Sequence, residues 1–272
     1  ISSELHDRLV YYSEWATAAY CSPQQGETGG KVSCQTSKTC VVAPVSLKTL
    51  TCWFSIGNNS ATGFVAADHT TKNIIISMRG SVALANWVAD LKFFQTECVD
   101  GSVVIGPGFC NIGFLGFWQQ SREAAEEGLA QGLQENPSYN IVITGHSLGA
   151  AAAVYGASYL RQNAQYKDKI FSYGQPRAGD EAFSKFVTAQ GNNYRVTHTS
   201  DAVPKLPPES GIQGTLGFET YSHIAPEYYI SDGLGMNINN IHVIDSGSSN
   251  EGNAGTGQLK FNIVAHIQYF QN

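Results

Sequence analysis

Three observations predict an α/β fold with a mainly parallel central sheet and helices on both faces. An apolar, β-branched run, Tyr139-Asn140-Ile141-Val142-Ile143-Thr144, ends at Gly145, and a run of small residues begins just after Ser147, so a strand hands over to a helix around a G-x-S-x-G. Downstream, Lys169–Tyr173, Asp180–Gln190 and Asn193–Thr199 read as strand, helix and strand. That alternation asks for parallel strands joined by crossover helices. Upstream, Ile74-Ile75-Ile76 is the continuous apolar run of a strand covered on both faces.

Taken in order, Leu5, Leu9, Val10, Tyr12, Trp15, Ala16 and Ala19 recur at helical spacing, predicting an amphipathic helix over Ser3 to Tyr20 packed on the sheet. Cys21 to Lys38 is rich in Gly, Ser, Gln and Thr and reads as a loop, with Cys34 and Cys40 close enough to staple a short excursion. Strands follow at Cys52–Ile56, Thr62–Asp68 and Asn73–Met78. After Arg79-Gly80-Ser81 a short helix is expected over Val82 to Leu91, because Leu84, Trp87, Val88 and Leu91 fall at i, i+3, i+4 and i+7. It can pack on the core or lie as a lid over an apolar cleft. Cys98 and Cys110 bracket a Gly-rich stretch, Asp100 to Phe109, read as a loop. Phe114 to Glu135 is a long helix ended by Asn136-Pro137. Ser231 to Gln258 is Gly- and Asn-rich surface loop with one strand, Ile241–Ile244.

The 272 residues suit one domain, 1–272, with a single elbow near the middle and no linker on either side. With 42% hydrophobic and 14% charged residues the chain is globular and poor in charge. A net charge of −6 argues against a nucleic-acid partner. No apolar run reaches the ~18 residues of a spanning helix. The start, Ile1-Ser2-Ser3-Glu4, reads as that of a processed chain. Six scattered cysteines without C-x-x-C pairs suit disulfides in an oxidising compartment, so secretion is expected. One glycosylation sequon, Asn58-Asn59-Ser60, fits that compartment, whereas Pro137 disqualifies Asn136-Pro137-Ser138.

The spacing of the elbow has a steric cause. A serine on so sharp a strand-to-helix turn presses the helix against the strand, and glycine two residues to either side relieves the clash. The turn thrusts the Ser147 hydroxyl out of the sheet and leaves the Leu148 N–H unpaired at a helix start, aimed where charge develops on an attacked carbonyl. His146 reads as a packed, hydrogen-bonded histidine and not as the base. A serine alcohol needs an imidazole to take its proton and a carboxylate to orient that imidazole. In α/β-hydrolases the chain order is nucleophile, acid, histidine. Of Asp168, Asp180, Asp201, Asp232 and Asp245, only Asp201 directly follows a predicted strand, at the carboxyl end of the sheet. Asp168 and Asp180 read as solvated residues or caps. His198 precedes Asp201 and is set aside, which leaves His223, His242 and His266; spacing favours His266 over His223 without excluding it.

With these pieces in place the chain resembles the fungal extracellular lipases of class 3, and is similar in particular to fungal mono- and diacylglycerol lipases. The resemblance spans nearly the whole chain. It is carried by Arg79-Gly80-Ser81 before Asn86-Trp87-Val88-Ala89-Asp90, by Gly145-His146-Ser147-Leu148-Gly149-Ala150, by Phe171-Ser172-Tyr173-Gly174-Gln175-Pro176-Arg177-Ala178-Gly179, and by Arg195-Val196-Thr197-His198-Thr199-Ser200-Asp201 with Val203-Pro204-Lys205-Leu206-Pro207. Tyr221-Ser222-His223 with Pro226-Glu227-Tyr228, and Ala265-His266, complete it.

The resemblance implies an α/β-hydrolase fold, a triad of Ser147, Asp201 and His266, and an oxyanion hole of Leu148 and Ser81, the latter through its N–H and hydroxyl. It makes His223 a structural residue near the substrate groove and Val82 to Leu91 a lid, with Leu84, Trp87, Val88 and Leu91 as its apolar stripe. It implies disulfides Cys34–Cys40 and Cys98–Cys110. Relatives with a cysteine like Cys21 often pair it near the C-terminus, but this chain ends Gln271-Asn272, so Cys21–Cys52 is the remaining pairing. The activity so implied is that of a secreted serine lipase acting on mono- and diacylglycerols at a lipid–water interface, with triacylglycerols left open; a monomer is the default expectation. No cofactor or metal is required. The rival readings are a feruloyl or other soluble-ester esterase of the same family and a non-catalytic binding protein.

Overall fold

The computed structural model describes residues 1–21, 52–55, 62–83, 93–163, 166, 168–212, 218–247, 250–257 and 263–270. Helix α1 spans Ser3–Ala18 and is capped by Ser2, whose hydroxyl accepts from Leu5 N at 3.2 Å. It stops two residues short of the predicted end, where Tyr20 N and Cys21 N turn back to Thr17 O and Ala18 O at 3.0 and 3.1 Å. Leu9, Tyr12, Trp15 and Ala16 are buried as their spacing requires. Burying each large apolar side chain contributes about 1.5–3 kcal/mol, so this helix is held by its packing and not by its intrinsic propensity.

The sheet has eight strands in the order β1 (Cys52–Ser55), β2 (Thr62–Asp68), β3 (Asn73–Met78), β6 (Asn140–His146), β7 (Asp168–Tyr173), β8 (Asn193–His198), β11 (Glu227–Ile230) and β12 (Ile241–Ile244). From β3 to β11 all neighbours are parallel; antiparallel pairs occur only at the two edges. Alternation sorts the side chains. Ile74, Ile76, Ile141, Ile143 and Ile170 face one layer, and Ile75, Val142 and Phe171 face the other. The first layer holds α2 (Ile112–Glu135), α3 (Leu148–Leu160) and α4 (Glu181–Ala189), through Trp118, Ala151, Val154 and Phe183. The second holds α1 and the chain end around Tyr269 and Phe270.

The stretch between Cys98 and Cys110 departs from expectation. It forms a hairpin of β4 (Gln95–Asp100) and β5 (Val103–Asn111), turning at Gly101 with φ 62°, and the Cys98–Cys110 disulfide ties its two strands together. The glycines suggested a loop, but only Gly101 is in the turn, and Gly106 and Gly108 lie within a strand whose Ile105 and Cys110 are buried against the core. Asp168 is a second correction: it is neither solvated nor a cap but opens β7 buried, with Arg161 Nε 2.6 Å away. Asp180 does cap α4, accepting from Phe183 N at 2.9 Å. Strand β11 and the short β9 (Ser210–Ile212) and β10 (Phe218–Thr220) were not anticipated. The expected lid residues Leu84, Trp87, Val88 and Leu91, the pair Cys34 and Cys40, and Asn58 lie outside the described residues. Cys21 is disulfide-bonded.

Candidate active site

Strand β6 delivers Ser147 at the carboxyl end of the sheet with φ 60° and ψ −130°, a strained backbone for a residue with a side chain. Backbone bonds hold it there: Ser147 N donates to Tyr173 O of β7 at 2.9 Å, and Ala150 N and Ala151 N donate to Ser147 O at 3.0 and 3.4 Å. The flanking glycines are sterically required. A Cβ on Gly145 would strike the carbonyl of Gly149, and one on Gly149 would strike the carbonyl of Met78. Leu148 is the first residue of α3, where an N–H has no helical carbonyl behind it to bond.

Asp201 is fully buried, three residues past the end of β8. Its carboxylate accepts from His266 Nδ1 at 3.0 and 2.9 Å, from Tyr269 Oη at 2.6 Å and from Val203 N at 2.9 Å. Burial alone would raise its pKa, yet it is lowered, because the His266 charge and hydrogen bond, Tyr269 and Val203 together outweigh desolvation. An ionised Asp201 holds a proton on His266 Nδ1, and in the neutral imidazole that tautomer leaves the lone pair on Nε2. His266 Nε2 and Ser147 Oγ are both buried, and among the described residues neither has a hydrogen-bond partner. A base with a free lone pair and a hydroxyl with a free proton are what nucleophilic attack needs.

Gly174, with φ +58°, gives the pair its room: a Cβ there would sit 2.9 Å from His266 Cε1 and 3.1 Å from Asp201 Oδ2. Gly174→Ala is therefore expected to displace the imidazole and lower kcat by about 100-fold. Kinetics on a soluble ester, with the melting temperature measured alongside, check this; unchanged kcat refutes it.

The competing candidates lie elsewhere. His223 is buried, its Nε2 bonded to Pro204 O at 2.6 Å, and burial holds its pKa well below the usual value, with Arg195 and Arg177 acting the same way. It borders a small polar pocket with Arg177, Arg195, Glu209 and Glu227. His242 is exposed and bonded to Ser231 Oγ at 3.0 Å. His198 bonds Ala265 O at 2.9 Å, beside His266. Tyr269 and Asn253, whose amide donates to Asp201 O at 2.8 Å, were missed in the sequence. Tyr269 follows His266 by three residues, a helical spacing that could have flagged it. Asn253 sits in an Asn-rich loop with no such signal.

Ser81 follows Gly80 just beyond β3, and its hydroxyl accepts from Ala83 N at 3.3 Å. A cavity of about 410 Å³, mainly apolar, is lined by Ser81, Val82, Tyr20, His146, His266 and Ile267, among others. Val82, Val264 and Ile267 are exposed apolar side chains beside it or beside His266. Among the described residues no cluster of His, Cys, Asp and Glu could hold a metal.

A serine elbow, an imidazole with a free nitrogen and a buried carboxylate behind it invite comparison with known hydrolases. Residues 75–211 match the family model described as Lipase (class 3). The chain is 36% identical to the secreted mono- and diacylglycerol lipase A of Penicillium cyclopium, over 99% of this chain and 85% of that one. The chain belongs to the class 3 lipase family. A second relative, the secreted mono- and diacylglycerol lipase 1 of Fusarium solani, is 34% identical over 96% of this chain and 75% of its own length. The crystal structure of a mono- and diacylglycerol lipase from Aspergillus oryzae superposes with a TM-score of 0.83 at 32% identity, covering 99% of this chain and 97% of that one. This lipase-family chain therefore has the α/β-hydrolase fold that its resemblance implied.

Proposed function

We propose that the chain is a secreted serine lipase that hydrolyses mono- and diacylglycerols through an acyl-enzyme, with residues 1–272 acting as one domain. The observation that carries this is the pair of buried atoms Ser147 Oγ and His266 Nε2, neither with a hydrogen-bond partner among the described residues, backed by a carboxylate that accepts from three neighbours. The named activity of its relatives supplies the substrate class, and their secretion agrees with the disulfide usage.

In this reading His266 Nε2 takes the hydroxyl proton as Ser147 Oγ bonds to the ester carbonyl carbon. The carbonyl oxygen becomes an oxyanion against the N–H groups of Leu148 and Ser81, with the Ser81 hydroxyl beside them. Collapse breaks the ester bond, and His266 returns the proton to the departing glyceryl oxygen. Water then attacks the acyl-enzyme by the same steps and frees the fatty acid. Asp201 keeps the imidazole in its Nδ1–H form and stabilises its charged state. Exposed Val82, Val264 and Ile267 give the surface near His266 an apolar character that suits lipid, with Leu84, Trp87, Val88 and Leu91 assigned to the lid.

The test is the initial rate on mono-, di- and triolein emulsions beside methyl ferulate and a soluble short-chain ester, followed through the concentration at which each lipid forms an interface. A jump in rate at the interface, with mono- and diolein preferred, is expected. A smooth saturation curve with ferulate preferred would keep the triad and replace the lipase by an esterase.

A further inference from the structure

His146 was set aside as a base, but its two nitrogens join segments that a lipase must keep in register. Gly80 N donates to Tyr20 Oη at 3.0 Å, Tyr20 Oη lies 2.9 Å from His146 Nδ1, and His146 Nε2 lies 2.7 Å from His266 O. A main-chain carbonyl can only accept, so Nε2 carries the proton and Nδ1 the lone pair. Tyr20 must then donate to Nδ1, and its oxygen is left to accept from Gly80. The His146 carbonyl, 3.5 Å from the same hydroxyl, is a weaker second acceptor. Donors and acceptors thus match in one direction along the whole chain: Gly80 to Tyr20, Tyr20 to His146, His146 to His266.

We propose that Tyr20 and His146 are positioning residues that fix the turn bearing Ser81 relative to the segment bearing His266, with the elbow between them. The inference rests on the lipase reading of the site. Three observations support it. Gly80 is one peptide from the Ser81 N–H assigned to the oxyanion, and it is so tightly seated that a Cβ on it would meet Ser147 Cβ at 2.9 Å as well as Tyr20 Oη and His146 O. The helix carrying His266, Ile263–Ile267, has only five residues, too few to hold its own position. The His146 and His266 rings lie 4.5 Å apart, so the relay ends against the imidazole it would position. Burial, aided by the neighbouring His266, pulls the His146 pKa down to about 3, so near neutrality the ring keeps the single proton the relay requires.

The experiment is a double-mutant cycle on the intact protein, read as kcat and KM on a soluble short-chain ester, with thermal melting in parallel. Tyr20→Phe removes only the hydroxyl. His146→Leu removes both ring nitrogens, and His146→Gln supplies one donor and one acceptor in their place. The expected result is a loss in kcat of about 10-fold or more for Tyr20→Phe and for His146→Leu, with KM nearly unchanged. His146→Gln should recover most of the loss, and the double variant Tyr20→Phe with His146→Leu should be no slower than His146→Leu alone. Unchanged kcat in Tyr20→Phe, additive losses in the double variant, or a His146→Gln as slow as His146→Leu would each overturn the relay. Because Tyr20→Phe is nearly isosteric, the test survives even if His146→Leu fails to fold. Failure of the lipase reading is seen separately, as a wild-type Ser147 that an organophosphate does not label.

Discussion

Ser147→Ala is expected to lower turnover of emulsified diolein by about 10⁵-fold or more while leaving the fold unchanged. The size follows from what is removed: without Oγ no acyl-enzyme forms, and only the oxyanion donors and substrate binding remain to assist a direct attack by water. Stability should not suffer, because the lost atom is buried and makes no hydrogen bond among the described residues. An alanine carries the same backbone strain at φ 60° as the serine does, and it no longer buries an unpaired hydroxyl. The melting temperature should therefore hold or rise slightly. Rates in a pH-stat, with burst titration to exclude wild-type contamination, measure the loss. Near-normal turnover would remove Ser147 from the mechanism.

The route from sequence to this site was short where physics is local. The elbow declares itself because a β-branched run, two glycines at fixed offsets and a small-residue helix occupy adjacent positions. Asp201 could be chosen because it follows a strand that was itself evident from its pattern, Asn193–His198. What failed was tertiary. Asp168 looked solvated because its partner Arg161 approaches it across a turn, from the end of the preceding helix. The hairpin of β4 and β5 looked like a loop because Gly101, Gly106 and Gly108 dominate its composition. What pairs its two strands is the alternation of Val103 and Ile105 against the core and a disulfide. Tyr20 was placed on a helix extended two residues too far. No periodicity could show that its hydroxyl bridges Gly80 and His146. Contacts made to backbone carbonyls, as those of His146 and His198 to His266 and Ala265 are, carry no side-chain signal at the accepting residue.

Asp201→Asn carries the second large effect, a fall in kcat of about 10⁴-fold with the protein still folded. The carboxylate offers two oxygens: Oδ1 accepts from Val203 N and His266 Nδ1, and Oδ2 accepts from Tyr269 Oη and His266 Nδ1. An asparagine has one acceptor oxygen and adds two N–H donors, in a site where every neighbour is already donating. If its amide nitrogen faces the imidazole, His266 must turn Nδ1 into an acceptor and carry its proton on Nε2. The nitrogen meant to receive the serine proton is then occupied. If its oxygen faces the imidazole instead, the tautomer survives but the negative charge that stabilises the imidazolium is gone. Both arrangements slow proton transfer, so the loss should fall on kcat and only weakly on KM.

The same substitution has a pH signature whose sign is fixed by the direction of the Asp201 shift. The native pKa lies below the ordinary value of 3.8, so the ionised carboxylate adds stability that is fully present above that value. This contribution is lost as pH falls through the lowered native pKa. Asp201→Asn never has it. The gap in melting temperature between wild type and variant should therefore be widest near neutrality and narrow on acidification below the ordinary carboxylate range. A gap that stays constant across that range would mean that Asp201 is not held ionised by His266, Tyr269 and Val203, and the argument for the Nδ1–H tautomer would lose its basis.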